Sequence, residues 1–294
     1  MLELRVRNQL AEADLESKVG KVLGPKDYDV VLTGPTRVTK PDGKPLCVYL
    51  PGALRDVTQN DEIYSTFHSL RKLTTTQRWT AAASKPVKRG KWGDTVPISS
   101  AVIGAMDPNG IQKYCRMTAW TGKNMPEWQR LTPFFQAVAR NFREYVPDRY
   151  AAQMAYVRSS KPEWMIPGTP FTTVTVNNTY PTGMHTDKGD LEAGFSTLGC
   201  LRRGEWTGGN LMFPKYRVSV SMQDGDLMLM DAHEWHANQA IVCECGERRV
   251  GYCDTCGAER ISVVSYYRTK IAQCGTAAEE QRRAVANREK GQQT

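Results

Sequence analysis

Three of the four histidines in this 294-residue chain lie between positions 185 and 236. In His185-Thr186-Asp187, an imidazole and a carboxylate stand two residues apart, and such residues project to the same face of an extended strand. Two histidines and one carboxylate form a facial triad that binds Fe(II) and leaves coordination positions open. A His-x-Asp alone is common by chance, so this prediction depends on a third ligand.

The segment LMLMDAHEWHAN supplies two candidates for that ligand, His233 and His236. We favour His236, which precedes Ala237-Asn238, and expect His233 to pack or hydrogen-bond beside the metal. Zinc could use the same ligands, but zinc hydrolases usually show other spacings.

An arginine further along, Arg260, begins the strand-like segment ERISVVSYYR. A guanidinium group binds a carboxylate through two parallel hydrogen bonds, so Arg260 could hold a dicarboxylate cosubstrate. The alternative is a surface arginine at a strand edge. The nearby triad favours the functional interpretation.

Four of the eight cysteines crowd into the spacing Cys-x-Cys, seven residues, Cys-x-x-Cys. Four thiolates make a closed tetrahedral zinc site, which is structural, and the ligands would be Cys243, Cys245, Cys253 and Cys256. Four unrelated free thiols are the alternative, whereas a redox pair lacks a thioredoxin-like βαβ context. The other cysteines are expected to be buried, unpaired thiols: Cys47, Cys115, Cys200 and Cys274.

The candidate ligands lie on strand-like runs between Phe171 and Ile271, which Gly, Asp and Asn interrupt at short intervals. This pattern predicts a sandwich or barrel. The clearest helix covers residues 127–146, with Thr132 and Pro133 marking its start, and a second helix is expected after Pro147-Asp148.

The residues before this region predict smaller elements. Leu2, Val6 and Leu10 have helical spacing and predict a helix up to about Gly24. Two strands are expected around Pro41-Asp42-Gly43, and a helix is expected over residues 61–73.

The composition, 40% hydrophobic and 24% charged, is that of a globular protein and excludes a disordered chain. Neither a transmembrane run nor a signal peptide is found, so we expect a cytosolic protein and no membrane partner. The net charge of +8 permits a polyanionic partner. Residues 71–92 carry seven basic residues, no acidic one and two tryptophans, which suits a phosphate-tracking segment or a solvated loop.

Six segments, taken in order, resemble the TET/JBP group of Fe(II)/2-oxoglutarate dioxygenases, which includes phage-encoded members: HTDKGD, GFSTLGCL, GGNLMFP, DGDLMLMD, HEWHAN and ERISVVSYYR. These enzymes oxidise the 5-methyl group of thymine or 5-methylcytosine in DNA. The resemblance covers residues 170–270 well and the region from about 95 more loosely. It implies an α+β fold, with a double-stranded β-helix (jelly-roll) core, flanking helices and a small cysteine-rich zinc-binding insertion.

By this resemblance, His185, Asp187 and His236 bind Fe(II), and Arg260 holds the distal carboxylate of 2-oxoglutarate. The group usually places this arginine closer to its histidine than the 24 residues found here. The cysteine segment 243–256 accounts for 14 of those residues, so we interpret it as an insertion into a hairpin.

Other residues receive roles by the same likeness or by position. Asn177 is expected to help position the cosubstrate, and Arg116 to contact cosubstrate or DNA. Asp190 could accept a hydrogen bond from a flipped pyrimidine, although a solvent-facing turn residue is the alternative. Arg248 and Arg249 lie at the tip of the cysteine segment, where they could contact DNA phosphates.

The predicted function is therefore hydroxylation of a 5-methylpyrimidine in DNA, by base flipping, with Fe(II), 2-oxoglutarate, O2 and a structural Zn(II). The alternatives are a related oxygenase acting on a protein side chain or small molecule, and a non-enzymatic zinc-bearing nucleic-acid-binding protein. The choice between thymine and 5-methylcytosine is left open.

The domain prediction gives an N-terminal region, an oxygenase core and a polar tail, over residues 1–94, 95–275 and 276–294. A monomer is compatible with the sequence. The expected location is the cytoplasm of a bacterial or phage-infected cell, or the nucleus in a eukaryote.

Overall fold

The computed structural model describes residues 1–75, 98–246, 248–249 and 251–292. Most of the basic segment predicted over residues 71–92, with Trp79 and Trp92, lies outside these ranges.

The strands are short, and most of them follow the alternating apolar runs of the sequence. Their bounds are β1 (Leu2–Arg5), β2 (Val30–Leu32), β3 (Thr36–Thr39), β4 (Pro45–Leu50), β5 (Thr74–Thr75), β6 (Ile98–Met106), β7 (Arg116–Met117), β8 (Thr173–Asn178), β9 (Ser196–Arg203), β10 (Trp206–Gly208), β11 (Leu211–Phe213), β12 (Val218–Val220), β13 (Leu227–Met230), β14 (Ala237–Asn238), β15 (Ile241–Cys243), β16 (Arg248–Arg249) and β17 (Glu259–Tyr266).

The helices lie mainly between β7 and β8 and at the two ends of the chain. Their bounds are α1 (Glu12–Glu16), α2 (Arg55–Thr58), α3 (Asp61–Ser69), α4 (Ala119–Lys123), α5 (Met125–Arg130), α6 (Thr132–Tyr145), α7 (Pro147–Ser159) and α8 (Ala277–Gln292). Helix α6 begins at Thr132, with Pro133 in its first turn, as the sequence predicts. In the part of the chain that the structure covers, no helix is both long and apolar enough to span a membrane.

Two sheets face each other and form the predicted double-stranded β-helix. Among the described residues, ten strands form the larger sheet, in the order β1-β3-β4-β13-β9-β17-β8-β6-β5, with β7 paired to β6. The smaller sheet has the order β14-β11-β12-β2, and β10, β15 and β16 form a third, peripheral sheet. Side chains from the larger and smaller sheets, including Met228 and Val220, meet in one buried cluster.

The alternation along β13 shows how the larger sheet separates two environments. Leu227 and Leu229 pack in the cluster that the outer helices cover, whereas Met228 and Met230 pack between the sheets. Successive strand residues point to opposite faces, so a run of apolar residues fills both sides. The same alternation on β8 and β17 leaves one face of each strand free for polar groups.

Helix α6 packs very close to the larger sheet at Gly199. A Cβ atom at this position would lie 2.7 Å from Cζ of Phe134 and 2.9 Å from Cδ1 of Leu54. Only glycine fits this contact, which presses the aromatic face of α6 onto β9.

The prediction of a helix up to Gly24 is wrong for the first residues. Leu2–Arg5 forms β1, an edge strand paired in parallel with β3, and α1 covers only Glu12–Glu16. Because β1, β3 and β4 belong to the larger sheet, strands from residues 1–94 complete the same sheet as the core. The boundary at residue 94 stays a prediction.

Two of the cysteines expected to be unpaired form a disulfide, Cys115–Cys274. They are 159 residues apart in sequence, with a Cα–Cα distance of 5.9 Å. The fold brings the start of β7 against the chain that leads into α8, a pairing that no sequence spacing indicates. Cys47 and Cys200 are buried free thiols, as predicted.

The polar C-terminal tail is a helix whose first turn is anchored. Glu280 is 1% exposed, and its carboxylate accepts hydrogen bonds from the backbone N–H groups of Cys115 and Gly275, both at 2.7 Å. Arg283 donates to the same carboxylate. These contacts fix the first turn of the tail to the core, because a buried carboxylate needs such partners.

We predict that Glu280→Ala lowers the free energy of unfolding by about 3 kcal/mol, because two buried N–H donors lose a charged acceptor. Urea denaturation measures the change. Glu289→Ala, at an exposed position of the same helix, is the control and should change it by less than about 0.5 kcal/mol. Equal stability of the two variants would show that the Glu280 contacts do not anchor the tail.

Candidate active site

A pair of backbone hydrogen bonds joins His185 to His236. Each N–H donates to the other residue's carbonyl oxygen at 3.0 Å, and the two ring centroids are 4.3 Å apart. The N–H of Asp187 donates to the carbonyl of Ala232 at 2.9 Å. Two segments distant in sequence thus form a short antiparallel pair that brings three candidate ligands together.

The imidazole rings are oriented by backbone acceptors. Nδ1 of His185 is 2.8 Å from the carbonyl of Gly183, and Nδ1 of His236 is 2.9 Å from that of Glu234. A protonated Nδ1 in both rings leaves each Nε2 as the free ligand atom. These atoms lie 3.4 Å (His185) and 3.9 Å (His236) from the carboxylate oxygens of Asp187, and one ligand atom of each residue lies within 4.8 Å of the others.

The environment of His236 keeps its imidazole neutral. Burial first, and the neighbouring His185 second, lower the pKa of His236 to about 4. A neutral imidazole is the form that binds a metal ion. His233 lies elsewhere, with Nδ1 3.3 Å from Oδ1 of Asp231. The structure thus brings His236, and not His233, beside His185 and Asp187.

A cavity of about 450 Å³ opens beside these three residues. One wall consists of alternate residues of β8 and β17, namely Thr175, Asn177, Ser262, Val264 and Tyr266. The intervening residues on the same strands, such as Val176 and Val263, pack under the helices. Strand alternation therefore assigns one face of each strand to the core and the other to the cavity.

Arg260 shares the parity of Ser262 on β17 and is 2% exposed. Its Nη1 donates to Oγ of Ser262, while Nε and Nη2 have no hydrogen-bond partner among the described residues. A buried guanidinium with two unsatisfied nitrogens is costly unless an anion completes it. A carboxylate matches these donors, so the donor set fits one end of 2-oxoglutarate.

The other predicted cosubstrate residues differ in position. Asn177 lies on the cavity wall, opposite Ser262 in the strand register, and its Oδ1 accepts from Ser100 at 2.6 Å. Arg116 does not line the cavity. Its Nη1 donates to the carbonyl of Asp107, whose carboxylate holds a cavity residue, Arg268, at 2.6 Å.

Asp190 lies on the cavity wall and is half-buried. Its carboxylate accepts from Oγ of Ser196 at 2.6 Å. Loss of water around the carboxyl group, followed by the charge of Asp187, raises the pKa of Asp190 to about 7. A carboxyl group with this pKa can accept or donate a hydrogen bond near neutral pH.

The four clustered cysteines also come together. The sulfur atoms of Cys243, Cys245, Cys253 and Cys256 all lie within 4.8 Å of one another, and none of the four cysteines forms a disulfide. The backbone N–H of Cys256 lowers the pKa of Cys253 to about 6, which favours the thiolate that binds zinc.

This cysteine segment connects to Arg260 through Thr179. The N–H of Gly251 donates to the carbonyl of Thr179 at 2.9 Å, and Oγ1 of Thr179 accepts from the N–H of Arg260 at 3.1 Å. At the tip, Arg248 and Arg249 form β16, paired with β15.

The family comparison covers the same region. The sequence profile Tet_JBP, described as the oxygenase domain of the 2OGFeDO superfamily, matches residues 106–269. The chain belongs to the Tet_JBP oxygenase family. This membership implies Fe(II), 2-oxoglutarate and O2.

Named relatives of this Tet_JBP chain include thymine dioxygenase JBP1 of Leishmania braziliensis, 31% identical over 206 residues, or 69% of this chain and 24% of that protein. JBP1 of Crithidia fasciculata is 30% identical over 209 residues, or 70% of this chain and 24% of that protein. This chain therefore matches about a quarter of the length of these relatives.

A solved structure shows the same fold. NgTET1 in complex with 5mC DNA aligns with a TM-score of 0.57 and 14% identity, over 90% of this chain and 94% of that chain. At this identity the likeness concerns the fold.

Sequence reasoning missed two cavity residues of this Tet_JBP domain, Tyr266 and Arg268. Both share the strand parity of Arg260 and Ser262, so counting in steps of two along ERISVVSYYR would have found them. Tyr266 offers an aromatic ring and Arg268 offers hydrogen-bond donors.

We predict that Arg260→Met stabilises the ligand-free protein by about 1–3 kcal/mol, because it removes a buried charge with unsatisfied donors. The same variant should lose the rise in melting temperature that 2-oxoglutarate causes in the wild type. Thermal denaturation with and without 2-oxoglutarate measures both effects.

Arg202→Met is the matched control, since the guanidinium of Arg202 is satisfied by Gln223 and by the carbonyl of Trp206. It should lower stability and keep the response to 2-oxoglutarate. A destabilised Arg260→Met protein that still responds would refute the assignment.

Proposed function

We propose that this chain is an Fe(II)- and 2-oxoglutarate-dependent dioxygenase that hydroxylates the 5-methyl group of a pyrimidine in DNA. The observation that carries the proposal is a two-histidine, one-carboxylate cluster that lines a cavity, together with the buried Arg260, which has unsatisfied donors and donates to Ser262 of the same cavity wall. Membership of the Tet_JBP family and relatives named thymine dioxygenases support it.

In this proposal His185, Asp187 and His236 hold Fe(II) through Nε2, a carboxylate oxygen and Nε2. The bound iron, with 2-oxoglutarate and O2, supplies the oxidising chemistry that replaces a methyl hydrogen by hydroxyl. The chain contributes fixed geometry, since backbone carbonyls hold both rings.

Arg260 and Ser262 are assigned to the distal carboxylate of 2-oxoglutarate. Asn177 is assigned to its orientation, because its side chain lies on the cavity wall and is fixed by Ser100. Arg116 is assigned to the support of Arg268 through Asp107, in place of direct contact with the cosubstrate.

The target base must leave the duplex, because stacked bases cannot reach a buried cavity. Asp190 is assigned to one edge of the flipped base, with Arg268 and the ring of Tyr266 as further wall groups. Thymine and 5-methylcytosine both offer an N–H donor that Asp190 could accept. The named relatives favour thymine.

The cysteine cluster is assigned to a structural zinc ion, which would fix the strand that begins at Glu259 and carries Arg260. The basic pair Arg248-Arg249 is assigned to DNA phosphates, as is the basic segment 71–92. The proposed layout is the oxygenase core over 95–275, flanked by 1–94 and 276–294. The enzyme would act where DNA is accessible, in the bacterial or phage-infected cytoplasm or in a nucleus.

The expected outcome of incubating the protein with Fe(II), 2-oxoglutarate and DNA is succinate formation that depends on DNA containing a 5-methylpyrimidine. His185→Ala and Asp187→Ala should each abolish it, because the triad loses a ligand, while the zinc content stays unchanged. Asp148→Ala, at an exposed position of α7, is the control and should keep full activity.

Each other outcome selects a different function. Succinate formed without any DNA dependence would favour an oxygenase of a protein side chain or small molecule. No turnover by iron-loaded wild type would favour the non-enzymatic alternative. Activity that survives either triad substitution would refute the metal assignment.

A further inference from the structure

A buried lysine from the N-terminal hairpin contacts the segment that leads to the candidate ligand His236. Lys40 follows β3 at the turn that leads into β4, and it is 7% exposed. Its Nζ donates to Oδ2 of Asp231 at 2.9 Å and to Oε1 of Glu234 at 3.0 Å. Lys40 lies outside the part of the chain that matches the family profile.

The three charges depend on one another. Burial alone would lower the pKa of Lys40, but hydrogen bonds to Asp231 and Glu234 raise the pKa above its ordinary value, so the ammonium stays charged. Without Lys40, the buried carboxylate of Asp231 and the half-buried carboxylate of Glu234 would lie close together with weaker compensation. Lys215 lies 4.0 Å from Glu234 and is shared with Glu12 at 3.9 Å, while Nδ1 of His233 contacts Asp231 at 3.3 Å.

The segment that Lys40 holds, residues 231–236, orients two of the three candidate ligands. Within it, the carbonyl oxygen of Ala232 accepts a hydrogen bond from the N–H of Asp187. The carbonyl oxygen of Glu234 lies at hydrogen-bond distance from Nδ1 of His236. Asp231 itself turns the segment, because its Oδ1 accepts the N–H of His233 at 3.2 Å. One ammonium group therefore holds the segment at Asp231 and at Glu234.

We propose that Lys40 is a positioning residue for the metal centre. By neutralising Asp231 and Glu234 it fixes segment 231–236, whose backbone oxygens hold Asp187 and His236 in the geometry that binds a metal ion. This inference rests on the proposed function, because it requires that the triad binds metal.

The test measures metal affinity directly. Mn(II) is a suitable probe, because it prefers oxygen and nitrogen ligands and leaves the thiolate cluster to zinc. The 294-residue chain is titrated with Mn(II) in the presence of 2-oxoglutarate, and the loss of the free-ion electron paramagnetic resonance signal reports binding. Lys40→Met should weaken the affinity about tenfold or more, as expected for loss of an outer support.

Lys44→Met is the matched control, since Lys44 lies in the same turn with a side chain that is 66% exposed. It should bind Mn(II) as the wild type does. The double variant Lys40→Met, Glu234→Gln relieves the excess negative charge and should regain most of the lost affinity. It also provides a folded protein if the single variant is unstable.

The possible outcomes distinguish the role of Lys40 from the existence of the metal centre. Wild-type affinity in Lys40→Met, or a double variant as weak as the single one, overturns the role of Lys40 and leaves the proposed function standing. A wild type that does not bind Mn(II) overturns the metal centre itself. A lower melting temperature with unchanged affinity would mean that Lys40 only stabilises the fold.

Discussion

The two backbone hydrogen bonds between His185 and His236 are the constraint on which the candidate active site depends. They join segments 51 residues apart in sequence and place the rings 4.3 Å from each other. His236 directly precedes β14 of the smaller sheet, and the loop before it starts at β13 of the larger sheet. The candidate metal centre is thus held where the chain passes from the larger sheet to the smaller one. The packing of these two sheets therefore determines the positions of its ligands.

The larger sheet gives this centre its cavity at a cost in stability. Strand β17 places Ile261 and Val263 under the helices and Ser262 toward the cavity, with Arg260 buried and donating to Ser262. Burial of an incompletely paired guanidinium opposes folding, while the apolar face of the same strand favours it. Strand β17 tolerates the cost of burying Arg260 because its opposite face packs in the cluster that also contains the aromatic residues of α6.

Much of the fold and of the site could be predicted from local patterns. The strand runs after Phe171, the start of α6 at Thr132 and the His-x-Asp spacing of His185 and Asp187 are local features, and His236 was found as one of two histidines after an apolar strand run. The N-terminal helix was predicted wrongly because β1 forms by parallel pairing with β3, a distant contact. The partners of Lys40 and the Cys115–Cys274 disulfide also arise only when distant segments meet, and no spacing encodes them.

The most direct test of the central claim is mass spectrometry of nucleosides from DNA treated with the protein, Fe(II), 2-oxoglutarate and isotopically labelled O2. The account predicts a 5-hydroxymethylpyrimidine nucleoside that carries one labelled oxygen atom and forms only when 2-oxoglutarate is present. Unmodified nucleosides recovered while 2-oxoglutarate is consumed, or a product that forms without 2-oxoglutarate, would contradict it.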